Sequence, residues 1–141
     1  MTKLTENPCD LCNSRSENLL WQDGFCRVVL VGDPDYPGFC RVILARHVKE
    51  MTDLAAEERT RLMDAVFATE ATLRELLRPD KINLASLGNL APHLHWHVIP
   101  RYRDDRHFPA PIWAGASREN APRRAPPERG AFTALLKQRL G

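Results

Sequence analysis

The sequence predicts an α+β domain built from an antiparallel sheet of about five strands, one long helix and a short C-terminal helix. Three observations predict it. Apolar runs of strand length alternate with turn residues over 19–44. From about Thr52 to Arg78 the apolar period changes to three- and four-residue steps. Strand-like runs then return at 81–87 and 93–100, separated by a short turn rather than by the second long helix that a parallel sheet would need.

The elements follow in order. Leu19–Gln22 and Phe25–Leu30 flank Asp23-Gly24, a dipeptide suited to a tight two-residue hairpin turn, which makes them two antiparallel strands. Gly32-Asp33-Pro34-Asp35-Tyr36-Pro37-Gly38 is turn chemistry, and Phe39–Leu44 is a third strand. In the helix, Leu62, Met63, Val66, Phe67, Leu73, Leu76 and Leu77 form the apolar stripe. Thr52 and Asp53 offer acceptors near its start, Glu57 and Glu58 suit its positive end, and Pro79 stops it. Lys81–Leu87 is a fourth strand, Gly88-Asn89 a turn, and 93–100 a fifth strand. Prolines 109, 111, 122, 126 and 127 break up an arginine-rich segment, 102–129, that should run over the surface without regular structure. Trp113 is the apolar anchor such a segment would use. Phe132, Leu135, Leu136 and Leu140 mark a terminal helix at about 131–140.

At 141 residues, 43% hydrophobic and 27% charged, the chain fits a single domain, 1–141, with a modest core. Twenty basic against 18 acidic residues are too balanced for a surface that coats nucleic acid or is drawn to a membrane. Met1–Glu6 is polar, with no signal-peptide core, and no stretch reaches transmembrane length. The expected location is cytoplasmic. Four cysteines there favour reduced thiols over a disulfide framework.

Chemistry concentrates in His93-Leu94-His95-Trp96-His97-Val98-Ile99-Pro100. On a strand this alternation turns Leu94, Trp96 and Val98 inward and sends His93, His95 and His97 into one common space. Imidazole is a nucleophile, proton carrier or metal ligand near neutral pH. A chance alternation or a surface metal cluster is the plain alternative. Cys9-Asp10-Leu11-Cys12 has zinc-ligand spacing but is half a site, so it reads either as metal ligands or as free thiols. Cys26 and Cys40 read as small apolar fillers in strands.

Histidine, apolar, histidine, apolar, histidine and two apolar residues in succession resemble the signature of the histidine-triad family. The resemblance extends to Gly38–His47 with Met51-Thr52-Asp53-Leu54, and to Pro100-Arg101-Tyr102, and covers most of 9–113. In detail it is similar to the bacterial branch of dinucleoside polyphosphate hydrolases. What it implies is a nucleotidyl hydrolase or transferase acting at the α-phosphate of a purine nucleotide, with His95 as the covalent nucleophile. His97 would bond non-bridging oxygens or protonate the leaving group. Related proteins complete a Cys-x-x-Cys pair with two histidines, which carried over gives Cys9, Cys12, His47 and His93 as ligands of a structural zinc. Without zinc, His47 and His93 would join the network around His95. The resemblance also implies a homodimer.

One departure is local. The family's pre-triad segment carries a hydroxyl that touches phosphate, whereas Gly88-Asn89-Leu90-Ala91-Pro92 carries none. Asn89 is the candidate replacement, with Asn83 and Ser86 as fallbacks. Its loss opens a second reading, a nucleotide-binding or signalling module with little turnover, and a third has the triad itself bind a transition metal. His107 and the arginines of 101–129 read as solvated surface, Trp113 and Tyr102 as packing groups, and Leu19, Phe25 and Leu30 as possible linings of a nucleoside pocket.

Overall fold

The computed structural model describes residues 9–13 and 18–141. The polar stretch Met1–Glu6 lies outside them. Five strands, β1 (Asn18–Gln22), β2 (Cys26–Leu30), β3 (Cys40–Leu44), β4 (Lys81–Ala85) and β5 (His95–Arg101), form one antiparallel sheet in the order β1-β2-β3-β5-β4. Three helices accompany it: α1 (Asp10–Asn13), α2 (Ala56–Leu77) and α3 (Arg129–Leu140). The α+β architecture is the one expected. No described helix is long and apolar enough to cross a membrane.

The first hairpin departs from a two-residue turn. Gln22 pairs with Arg27, and Asp23 Oδ1 accepts from the backbone N–H groups of Phe25 and Cys26 at 2.8 and 2.9 Å. The aspartate side chain shapes this loop, and Gly24 does not adopt a positive φ. Gly38 does need its glycine. Its φ is +94°, and a Cβ there would meet Leu77 Cδ1 at 2.7 Å, because the turn into β3 closes against the end of α2.

Helix α2 begins later than Thr52. Met51–Asp53 form a separate 3-10 turn, and the Glu58 carboxylate reaches back to accept from the Ala55 N–H at 3.0 Å. The helix ends before Pro79, at Arg78, whose left-handed backbone (φ 49°, ψ 54°) lets its N–H reach the Arg74 carbonyl. Leu62, Val66 and Leu73 on α2 pack with Val28, Cys40, Val42, Leu44, Leu94 and Val98 of the sheet and with Phe132 and Leu136 of α3. This main core covers one face of the sheet. Cys26 and Cys40 sit in it as expected, and burial pushes the Cys26 thiol up to about 12 and Cys40 in the same direction.

The opposite face carries the residues that alternate with these. Tyr36, Phe39 and Ile99 form a second, smaller core there, packed against Val31 and Ile112. Residues 102–128 contain no helix or strand, and Arg129 already belongs to α3.

Candidate active site and metal centre

β5 is shorter than the motif, and that changes what the three histidines do. His95 and His97 lie within the strand and project to the face opposite α2, their rings 5.0 Å apart at 83°. His93 precedes the strand. Its ring turns toward His47, fully buried, with centroids 5.1 Å apart. Leu94, Trp96 and Val98 pack with the main core, as the alternation predicts.

His93 links two assemblies through three of its atoms. Its Nε2 lies 2.6 Å from the Leu44 carbonyl, which only accepts, so Nε2 carries the proton and Nδ1 a lone pair. Its carbonyl oxygen lies 2.6 Å from Nδ1 of His95. By the same argument Nδ1 of His95 is the protonated nitrogen, and the lone pair is on Nε2. Ser86 Oγ donates to the His95 carbonyl at 2.7 Å and so holds the strand at that point.

Nδ1 of His93 points into the third contact, a cluster with Cys9, Cys12 and His47 whose ligand atoms all lie within 4.8 Å of one another. The separations are 3.5 Å to Cys9 Sγ, 3.2 Å to Cys12 Sγ and 3.2 Å to His47 Nδ1, with 3.3 Å between Cys12 Sγ and His47 Nδ1. Bonds of about 2.3 Å to sulfur and about 2.0 to 2.1 Å to nitrogen give tetrahedral edges of roughly 3.3 to 3.8 Å. Four of the six separations lie near such edges and none exceeds 4.8 Å, so the four donors could hold a tetrahedral metal ion. Arg27 donates to the Leu11 carbonyl at 2.7 Å, which pins α1 and its cysteines against β2.

His97 stands opposite Arg41 of β3, and His95 opposite Ile43. Phe39 and Trp113 both meet the His97 ring edge-on, at 5.6 and 5.0 Å. Trp113 is 51% exposed, so it covers the histidine rather than anchoring the segment in a core. Burial, then the positive character of His95 and Arg41, pushes the His97 pKa down to about 4, and burial lowers those of His93 and His95. All three favour the neutral ring at pH 7.

A sign follows for stability. Between about 4 and the ordinary 6.5, the unfolded chain holds a proton at His97 that the folded chain does not. The contribution is fully present above 6.5 and is lost as pH falls toward 4, with a slope of at most about 1.4 kcal/mol per pH unit for one proton. Denaturant unfolding of wild type and His97→Gln between pH 7 and 4 should show a shallower loss in the variant. Equal slopes would contradict the burial of a neutral ring.

The segment over this face is held by a polar hub that no local sequence pattern announces. Arg101 and Asp105 are both buried and paired through Nε to Oδ2 at 2.8 Å and Nη2 to Oδ1 at 3.1 Å. Asp105 also accepts from the backbone N–H groups of Tyr102, His107 and Phe108, and from the Tyr36 hydroxyl at 3.2 Å. Burial alone would raise its pKa; Arg101 and the three N–H groups outweigh that and hold the carboxyl well below the usual range.

Asn83 joins this hub, its Oδ1 accepting from Arg101 at 2.7 Å. Asn89 is exposed in the pre-triad turn, after Gly88 at φ +71°. A cleft of about 310 Å³ beside the turn is lined by Ser86, Gly88, His93, His95 and Met51 among others. Of the expected nucleoside linings, Phe25 and Leu30 pack with the α2-side core, while Leu19 pairs with Val29 on the histidine face. His107 Nδ1 lies 2.6 Å from the Tyr36 hydroxyl and is part of the hub rather than solvated surface.

Comparison with known proteins agrees with this geometry. The family model of the HIT domain matches residues 13–104. A protein of Mycobacterium tuberculosis named AP-4-A phosphorylase is 33% identical over 81 residues, 53% of this chain and 42% of that protein. The chain thus matches less than half the length of this relative. Among solved structures, a histidine triad protein of Bradyrhizobium japonicum shares 26% identity at a TM-score of 0.68, over 88% of this chain and 92% of its own. One from Marinobacter aquaeolei shares 28% identity at a TM-score of 0.67, over 88% of both chains.

Proposed function

The chain belongs to the HIT-domain family, and from that premise we propose that it is a nucleotidyl hydrolase or transferase working through a covalent nucleotidyl-His95 intermediate. The observation that carries this reading is the 2.6 Å contact between His95 Nδ1 and the His93 carbonyl. It fixes the tautomer whose Nε2 lone pair is free to attack, and it does so on a rigid strand.

In the first step Nε2 forms a bond to the α-phosphorus as the bond to the leaving group breaks. In the second, water or another acceptor attacks the same phosphorus and returns Nε2 to its free form. Splitting the displacement in two lowers each barrier. His97, one position along the same face and neutral at pH 7, holds a non-bridging oxygen through a ring N–H rather than giving a proton to the leaving group. Substrates of this reading are purine nucleoside phosphoramidates or dinucleoside polyphosphates, the second favoured by the relative named for AP-4-A.

Cys9, Cys12, His47 and His93 would hold zinc, whose part is structural because four protein ligands leave no open position. The same reading takes the protein as a cytoplasmic homodimer. The intact mass of the protein, quenched without acid during turnover, should show a nucleotidyl adduct that is absent in His95→Ala. Turnover without any adduct would remove the covalent mechanism.

A binding module with little turnover is the second reading. Its support is that the Ser86 hydroxyl is committed to the His95 carbonyl, so no hydroxyl replaces the missing pre-triad one. Asn89 separates the two readings. As a phosphate contact that tightens in the transition state, its loss in Asn89→Ala should lower kcat/KM by roughly tenfold to a thousandfold, mostly in kcat. If Asn89→Gly keeps full kcat, the residue serves only the turn.

A further inference from the structure

β3 brings to the histidine face a charge that the fold leaves unused. Arg41 pairs with His97 across β3 and β5, so both side chains rise from one rung on one face, with Ile43 and His95 on the next rung. Nε of Arg41 is buried with no hydrogen-bond partner among the described residues, and Nδ1 of His97 is in the same condition. Several other arginines are already spent on acids. Arg101 is spent on Asp105, Asn83 and the Ala110 carbonyl, and Arg46, Arg61, Arg106, Arg124 and Arg139 each meet a carboxylate. Arg41 meets no acid among the described residues. No carboxylate contributes to the electrostatic surroundings of His95 or His97, whereas Arg41 acts on both.

A buried guanidinium N–H without an acceptor, one strand away from a histidine whose Nδ1 is also without a partner, is complementary to an anion. Resting on the nucleotidyl transfer proposed above, we infer that Arg41 binds a phosphate of the leaving group, the one beyond the attacked phosphorus, and so selects polyphosphate over phosphoramidate substrates. Its place supports the leaving group over the attacked phosphate. Arg41 stands on the His97 rung, about 7 Å along the sheet from the His95 rung, a distance that a polyphosphate chain and a long arginine together span. An amine leaving group offers this fork nothing to bind.

The test compares two substrates that share one adenylyl group, diadenosine tetraphosphate and adenosine 5'-phosphoramidate. Arg41→Gln should lose roughly 30-fold or more in kcat/KM on the tetraphosphate and stay within about threefold on the phosphoramidate. Arg41→Lys should fall between, since an ammonium keeps the charge without the planar fork. Equal losses on both substrates, or none on either, overturn the inference. A wild type that turns over neither and forms no adduct refutes the reaction instead. Equilibrium binding then still decides on Arg41: wild type should hold ATP at least about tenfold tighter than AMP, with the difference gone in Arg41→Gln. Equal wild-type affinities for ATP and AMP also overturn it, and need no variant to fold.

Discussion

His95→Ala is expected to lower kcat on any nucleotidyl substrate by about four orders of magnitude or more while leaving fold and nucleotide affinity near wild type. The size follows from the kind of group removed: a nucleophile that makes and breaks a bond to phosphorus has no partial substitute on this face. His97 cannot replace it. Its ring is covered by Phe39 and Trp113, and its Nδ1 has no carbonyl to fix a tautomer among the described residues. The change in stability is small because the imidazole holds little else in place. His95 contributes one side-chain hydrogen bond, to a carbonyl that also belongs to the backbone beside the metal cluster. Steady-state kinetics and thermal melting of the purified variant check both halves. A variant that keeps more than about a tenth of kcat, a loss of no more than about 1.4 kcal/mol, excludes His95 as the nucleophile.

The second large effect concerns the cluster of Cys9, Cys12, His47 and His93. Protein purified without added metal should carry about one zinc per chain by elemental analysis. Cys9→Ser should lose most of it and melt lower by roughly 10 °C, corresponding to a few kcal/mol. The stability belongs to the metal because the donors come from distant parts of the chain: α1, the end of β3 and the approach to β5. An ion would replace thiol–imidazole contacts of 3.2 to 3.5 Å with metal–ligand bonds. Metal-free protein that melts like its zinc-supplemented form would return His47 and His93 to the network around His95.

Much of the fold is legible from period alone. The five strands and the long helix stand where apolar spacing places them, within a few residues. The helix start is not legible, because Thr52 and Asp53 are good capping residues but the 3-10 turn uses them first. Neither is the strand order. β3 pairs with β5, which lies beyond α2, and only that pairing brings Arg41 opposite His97. Alternation tells which residues of each strand share a face, but nothing local says which strand lies beside which. The histidine motif misleads in one respect. Strict alternation across residues 93–97 assumes a continuous strand, and the backbone bends at His93 to bond elsewhere, Leu94 N–H reaching the Val48 carbonyl at 2.7 Å. Asn83 stands out in the sequence as a polar residue on a strand; its partner, Arg101, is identifiable only once β4 and β5 are paired.

The Asp105 hub has a dynamic consequence. Three backbone amides, at Tyr102, His107 and Phe108, find in one carboxylate the acceptor that a helix or strand would supply from several carbonyls. Because one carboxylate accepts from all three, rotation of Asp105 out of the hub would release them together. If opening of the segment that carries Trp113 over His97 proceeds through that rotation, hydrogen exchange at the three amides should follow one common opening free energy. A ligand resting under Trp113 would slow exchange at all three, although it touches none of them.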